Sequence, residues 1–520
     1  MTLSRPTLPR PLAAVETAAG RLRAALADPL AGNRRMALTL IAYTLLWALY
    51  GILAKSGQDV HPDMSELIVW AREPALGYFK HPPLAAWLTA AWFAVFPVAD
   101  WSYYLLAAAM PSLALWIVWR GSADYLDAER RVIGVALLML TPFFGVIALK
   151  FNVNTVLIPL WAATAVCFLR AFERRSIGWA GLAGVCAAGA MLTKYWSIFL
   201  VAGLVLAALR DRRRFSYLRS AAPWVTVAVG AALLAPHIVW LFQHDFPPFR
   251  YVSMAHHPAT LGTSALSTLT YLLGTAGYVA LPVILVLAAA RPDRAALADM
   301  LWPRAPERRL VLGAFWWPLL LPVLAAIALT TEITSIWSMS AFALLPVVLL
   351  ASPRIALPRQ AADRIVALAA AVPLVMLAAA PFVAAAIQRG GLPPDQTQGS
   401  LVAPAAEAAW RAATPAPLRM VAGDNAYGIA FYLKDRPSAF PEFSFPIATW
   451  VDEARLARDG MVMVCATDNA GCLAEAQRRA DRAPVAKAAT AAPVEVTVAR
   501  SLFGIAGPAR RYRIWALPPG

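Results

Sequence analysis

Charge is what this sequence has least of. Only 15% of its 520 residues are Asp, Glu, Lys or Arg, against about 25% in a soluble globular chain. Hydrophobic residues make up 60% and the mean hydropathy is +0.58, so a soluble fold is excluded. Cysteine is scarce as well, four in all with no zinc-ligand spacing, which rules out a zinc module or a disulfide-built scaffold. There is no G-x-x-x-x-G-K-[ST], and no G-x-G-x-x-G opening a helix, so neither a P-loop nor a dinucleotide-binding site is expected. Acidic residues are outnumbered 30 to 46, a net charge of +16. The excess Lys and Arg sit in short clusters between apolar runs, where they orient helices in a bilayer, and nucleic-acid binding is not expected. The first 35 residues are long, weakly apolar and carry Arg and Pro, unlike a cleavable signal peptide.

What is there is one apolar run after another. Segments at about 36–54, 101–119, 132–148, 154–169, 178–193, 196–209, 222–242, 264–290, 311–330, 338–352 and 365–387 are each bounded by charge, Pro or Gly, and each can cross the hydrocarbon core as a helix. Eleven spans are therefore predicted. With a cytoplasmic N-terminus, the inner loops collect clusters such as Arg34 and Arg35, Arg130 and Arg131, Arg174 and Arg175, and Arg212, Arg213 and Arg214. The outer loops then hold only Lys55, Arg72, Lys80, Lys150, Lys194 and Arg250, as the positive-inside rule requires. The chain divides into a cytoplasmic lead (1–35), a transmembrane domain (36–387) whose first outer loop is 55–100, and a C-terminal region (388–520) on the outer side.

In that last region the composition turns mixed. "LRMVAG", "GMVMVCA" and "VEVTVARSLFG" read as strands, and "DEARLARDG" and "CLAEAQRRADRA" as helices, which predicts a small α/β domain. Cys465 and Cys472 suit either a short-loop disulfide, in an oxidising compartment, or two free thiols. Cys167 and Cys186 fall within predicted spans and read as small apolar fillers.

The outer loops concentrate the chemistry. "HPDMSELIVWAREPALGYFKHPPLAAWL" (61–88) places Asp63 and Glu66 three apart, on one face if helical, and returns Lys80 and His81 to the same side. Asp63 can alternatively cap a helix. Pro82 and Pro83 start "LAAWLTAAWFAVF", which is short and carries Trp87 and Trp92; it suits a helix lying in the interface or, alternatively, a further span. The second outer loop offers Lys150, Asn152 and Asn154, the third Lys194 and Tyr195, and the fourth His244, Asp245, Arg250, His256 and His257. Isolated lysines here can simply snorkel to headgroups. Cations gathered beside carboxylates and aromatics suit an anionic phosphate, and a carboxylate can take the proton of a hydroxyl that attacks an activated sugar.

These residues resemble the GT-C glycosyltransferases that use polyprenyl-phosphate sugars, the protein O-mannosyltransferase-like and aminoarabinose transferase-like enzymes, over roughly 36–350. Asp63 stands eighteen residues before His81 of "GYFKHPPL", similar to that family's outer-loop acid and G-Y-[FY]-x-H-P-P-L block. "LTKYWSIFL" is similar to its L-S-K-Y-T segment, and "PHIVWLFQHDFPPFRY" to its P-x-x-x-W-N-x-x-H-x-W run. Where the family has a second acid, seven residues ahead of a Trp, this chain has Asn154 ahead of Trp161. In the aminoarabinose branch a Glu before Lys-Pro-Pro-Leu helps hold a metal; here Lys80 and His81 occupy those places, and no metal site is expected.

The resemblance implies a polytopic α-helical membrane protein that moves a sugar from a polyprenyl (undecaprenyl) phosphate to a lipid, glycan or protein acceptor on the periplasmic face of a bacterial inner membrane. Asp63 would be the general base and Glu66 its orienting partner. Lys194, Lys80 and Arg250 would bind phosphate. His81, Tyr78 and Tyr195 would shape the sugar pocket, with Asn152, Asn154 and His244 alongside. No resident cofactor is expected beyond the lipid-linked donor, and a divalent ion is left open. The competing readings are a transporter or lipid flippase, which would carry charges at mid-span, and a non-catalytic binder of polyprenyl phosphate.

Overall fold

All eleven apolar segments are helical in the computed structural model, which describes residues 10–255, 260–482 and 492–520. The first part of the chain runs through α1 (Arg10–Leu26), α2 (Gly32–Ala54), α3 (Pro62–Arg72), α4 (Leu84–Val95), α5 (Asp100–Gly121), α6 (Ala128–Met139), α7 (Val153–Arg174), α8 (Ile177–Thr193) and α9 (Ile198–Arg210). Long helices follow at Ala222–Gln243, Leu261–Ala290, Pro306–Ala328 and Arg359–Gly390.

Among the described residues, seven helices have the length and hydropathy to cross a bilayer: α2, α5, α7 and the last four. The segment expected at 132–148 is bent by 88° between α6 and Pro142–Leu149, because Pro142 has no N–H to continue the ladder. Three shorter apolar segments, Ile177–Thr193, Tyr195–Arg210 and Ala341–Leu350, have only 10–17 residues each. Length alone thus supports seven or eight crossings rather than eleven, but α8 does carry the chain back: a 2.9 Å hydrogen bond joins Lys194, just past its end, to Asn154 at the start of α7. The twelve residues of α4 span about 18 Å at 1.5 Å per residue, too little to cross. It packs on α3, as an interfacial helix would.

α1 has no counterpart among the predicted elements, because Glu16, Arg21 and Arg23 break its sequence and leave no long apolar run to find. It is held to the end of the bundle opposite the α3 loop by Arg23, which is buried and bridges Asp363 and Glu129, each at 2.8 Å.

The C-terminal region forms a five-stranded sheet from β1 (Met420–Gly423), β2 (Ser438–Pro441), β3 (Met461–Ala466), β4 (Val494–Val498) and, after the small hairpin of β5 (Ser501–Leu502) and β6 (Ile505–Ala506), β7 (Arg510–Leu517). The order is β2-β1-β3-β7-β4, with β1 parallel to β2 and β3, and β7 antiparallel to β3 and β4. β1 and β3 are apolar on both faces because both are covered, one by the helix Gly399–Ala413 and the other by Ala470–Asp481. β2 and β7 are missing from the predicted strands. β7 reads "RRYRIWAL", and its arginines mask a strand whose alternate residues Tyr512 and Ile514 are buried. Cys465 and Cys472 form a disulfide.

This domain grips α3 at both ends. Before the helix, buried Asp59 accepts from Ser400 Oγ and from Arg500 Nη2, each at 2.5 Å. After it, Arg72 Nη1 donates to Ala430 O (3.0 Å) and Pro437 O (2.7 Å), and Arg455 makes a two-pronged pair with Glu73 (2.6 and 2.9 Å). Arg455→Ala strands a largely covered Glu73 carboxylate. It is expected to cost about 1.5–3 kcal/mol, the range for a hydrogen bond to a charged group, read as a lower unfolding midpoint of the full-length protein in detergent.

Candidate active site

Three turns of sequence logic place α3. Pro62 occupies its first turn, where a missing N–H costs nothing, the His61 ring accepts from Asp63 N at 3.1 Å, and Pro74 follows its end. His61, not Asp63, is therefore the N-cap, which leaves the Asp63 carboxylate for other work. Asp63 and Glu66 do share one face, as their spacing predicts, and both line a cavity of about 590 Å³ at the loop end of the bundle. Lys80, His81, Lys150, Asn152, Asn154, Lys194 and Tyr195 line it too. Residues from three separate outer loops therefore converge, in a volume typical of ligand sites.

The polar groups form a chain. Lys80 Nζ lies 3.2 Å from Glu66 Oε2 and 3.9 Å from Asp63 Oδ1. Lys150 Nζ is 3.1 Å from Asp63 Oδ2, and Asn152 Nδ2 donates to the same oxygen at 3.0 Å. Asn152 Oδ1 meanwhile caps α7 by accepting from Asn154 N and Thr155 N. Burial alone would raise the Asp63 carboxyl, but Lys80, Lys150 and the Asn152 bond overcome it and hold Asp63 well below the usual carboxylate range. Burial works against the Lys80 ammonium, yet Glu66 and Asp63 keep it above the usual lysine value. His81 is pushed well down by burial, with Lys80 and Lys194 adding to the effect, and is neutral.

Lys194 is different. Its Nζ donates to Asn154 Oδ1 at 2.9 Å and sits 4.5 Å over the Trp337 ring, and among the described residues no carboxylate pairs with it. Burial brings its pKa down to about 7. Asn154, standing where an acid would neutralise this ammonium, leaves it as the cation available to an incoming anion. Lys80 is by contrast shared between two carboxylates, and Lys150, which the sequence reading placed at the membrane surface, faces Asp63 in the same cavity.

Tyr195 lines the cavity, and its hydroxyl is 2.7 Å from His237 Nε2. His237 Nδ1 lies 2.6 Å from Leu76 O; a carbonyl can only accept, so Nδ1 carries the hydrogen and Nε2 accepts from Tyr195. His237 had no assigned part in the sequence reading, although it lies in the quoted "PHIVW" run. Tyr251, Trp196 and Trp337 also line the cavity without having been anticipated.

Three expected residues lie elsewhere. Tyr78 is fully buried behind α3, stacked on Trp70 at 4.7 Å, with its hydroxyl 2.7 Å from Trp70 O and 2.9 Å from Glu73 O. It holds the end of α3 rather than a sugar. Gly77 beside it lies against Trp240, where a Cβ would come within 2.3 Å of the ring. Tyr78→Phe is expected to cost about 1 kcal/mol of stability and to leave turnover within about twofold, measured by thermal unfolding and transfer assays. His244 is exposed, stacked on Trp240 with Nδ1 2.9 Å from Trp240 O. Arg250 is exposed and donates to His244 O at 3.1 Å. The helix Pro247–Ala255 turns Pro248, Tyr251 and Val252 inward instead, since neighbours on a helix point about 100° apart. His256 and His257 lie outside the described residues.

Among the described residues, no group of three or more His, Cys, Asp or Glu gathers to hold a metal. Residues 80–240 match the family model for dolichyl-phosphate-mannose-protein mannosyltransferase. A curated relative, the lipid A galacturonosyltransferase RgtD of Rhizobium johnstonii, is 24% identical over 252 residues. That match covers 48% of this chain and 52% of RgtD, so the chain spans about half the length of the curated relative it matches. In three dimensions the chain is similar to ArnT from Cupriavidus metallidurans in the apo state (TM-score 0.60, 13% identity) and bound to undecaprenyl phosphate (TM-score 0.53, 15% identity). Each superposition covers 92% of this chain and 97% of ArnT. The resemblance read from the HPPL and TKY segments is thus borne out, and the chain is a multi-pass membrane protein built on the GT-C glycosyltransferase fold.

Proposed function

We propose that this protein is a glycosyltransferase that moves a sugar from a polyprenyl phosphate to a hydroxyl of a lipid, glycan or protein. In this reading the cavity faces the periplasm, with the N-terminus and the Arg-rich loops in the cytoplasm of a bacterial cell. The observation that carries it is the sharing of one cavity by Asp63 and by Lys150 and Lys194. ArnT, whose fold this chain shares, has been captured with undecaprenyl phosphate.

The donor is a phosphodiester. The acceptor oxygen forms a bond to the sugar's anomeric carbon, the bond from that carbon to the phosphate oxygen breaks, and the phosphate leaves carrying the electron pair. Lys194 and Lys150 stabilise that growing charge. The acceptor proton passes to Asp63, with Glu66 and Lys80 orienting the carboxylate. A carboxylate clamped by two lysines is a weak base in the empty site. Donor phosphate drawing on Lys150 loosens the clamp, so Asp63 gains basicity only once the donor is bound.

The test is transfer of label from a radiolabelled undecaprenyl-phosphate sugar to a membrane extract by purified protein. Transfer that depends on Asp63 supports the reading; no transfer with any donor from a panel of hexose and pentose carriers would overturn it.

A further inference from the structure

At the carboxyl ends of β1 and β3 the sheet changes direction. From β1 the chain goes to β2 on one side, then crosses back to β3 on the other. The loops leaving β1 and β3 part there and leave a crevice of about 210 Å³, lined by Asp395, Asp424, Asn425, Asn469, Arg510 and Tyr512. Such a switch point is where open parallel sheets bind ligands, and the glycosyl-transfer chemistry makes no use of it.

The walls are fixed. Asp424 Oδ2 accepts from Ala466 N (2.9 Å) and Oδ1 from Asn469 Nδ2 (2.8 Å), while Asn469 Oδ1 caps the next helix by accepting from Cys472 N (3.1 Å). The Cys465–Cys472 disulfide closes the same loop. Gly423, at φ +94°, makes the turn out of β1; a Cβ there would meet Val464 O at 2.4 Å. Among the described residues Arg510 Nε makes no hydrogen bond, although it is shut off from solvent.

Charge and place narrow the ligand. Arg510 Nη2 is matched by Asp468 at 2.8 Å, which leaves Asp395 and Asp424 to make the crevice negative and unfit for phosphate or carboxylate. Carboxylates, amides and a guanidinium N–H on one wall instead suit the alternating donors and acceptors of vicinal hydroxyls. Asp395 lies five residues past the helix Arg359–Gly390, and the neighbouring Gln396 O accepts from Asp59 N at 2.7 Å. The crevice therefore sits on the side of the sheet domain that meets the bundle.

We propose that this crevice holds one uncharged or amino-bearing sugar unit of a membrane-anchored saccharide, as an acceptor-binding site separate from the cavity of Asp63. The proposal rests on the glycosyl-transfer reading. The test is saturation-transfer NMR on the full-length protein in nanodiscs, with methyl glucoside, methyl glucosaminide and methyl glucuronide as probes. Binding of undecaprenyl phosphate is measured on the same samples. The first two glycosides are expected to show transfer and the glucuronide none. Asp424→Asn is expected to weaken binding by about fivefold or more through the lost charge–hydroxyl bonds, and so is Asp395→Asn, which lies on an exposed turn and spares the loop ties. Undecaprenyl phosphate binding stays unchanged in both. Equal transfer to all three glycosides, transfer untouched by both substitutions, or no transfer at all would each overturn the crevice assignment. Wild-type protein that fails to bind undecaprenyl phosphate would count against the transferase reading instead.

Discussion

Asp63→Asn is expected to lower glycosyl transfer by about 10²–10⁴-fold, the usual worth of a positioned general base, without weakening the hold on the lipid phosphate. The split follows from the ion pairs. Asp63 is 3.1 Å from Lys150 and 3.9 Å from Lys80, so its negative charge competes with phosphate for the same ammonium groups. Asparagine keeps the shape, and its carbonyl oxygen can still accept from Asn152. It cannot take a proton, and it no longer neutralises Lys150. Affinity for undecaprenyl phosphate should therefore hold or rise while turnover collapses. Parallel measurements of label transfer and lipid-phosphate binding on one preparation check both halves. A variant that loses both together would make Asp63 a structural anchor for Lys150 instead of a base.

The second large effect concerns Lys194. With its pKa brought down to about 7 by burial, it is charged below that pH and neutral above. An anion binds the charged form, so affinity for the lipid phosphate should fall as pH rises from 7 to 9. The second phosphate proton leaves near pH 6 and so does not mask the trend in that window. Lys194→Arg, always charged, should flatten the profile. Lys194→Met should cost about 1.5–3 kcal/mol, or about 10–150-fold in affinity, at pH 6.5 and much less at pH 9. Asn154→Asp would supply the missing carboxylate 2.9 Å away. It should lift the lysine out of the neutral range and, by competing with the ligand, weaken phosphate binding at pH 6.5. Titrations of undecaprenyl phosphate across pH for these variants check the sign. A flat profile in the wild type would show that another cation carries the phosphate.

Much of this was legible in the residues, and what was not has physical causes. The Asp63–Glu66 face follows from a three-residue spacing, and the helices follow from apolar length, because both are local properties. Convergence is not local. Lys150 and Lys194 come together only because α7 leads away and α8 leads back, and nothing in "LKFNVNTVL" alone says that its lysine turns toward Asp63. Tyr78 and Tyr251 show the limit most clearly. Both are tyrosines near the outer surface beside charged residues, but the one in the family-like block is a fully buried prop for α3. The other, in a run read chiefly for Arg250 and its histidines, faces the cavity. A family-like motif marks where backbone must be held as readily as where chemistry occurs. The sheet domain was half legible: β1 and β3 are continuous apolar runs, while β7 hides behind Arg510, Arg511 and Arg513.

The most direct test of the central claim is a structure of the full-length protein with undecaprenyl phosphate bound. The phosphate is expected within about 3 Å of Lys194 Nζ, the reach of a charge-assisted hydrogen bond, with Lys150 turned toward it and the Asp63 carboxylate left open to the cavity. A phosphate seated out of reach of both lysines, or an Asp63 turned away from it, would contradict the account.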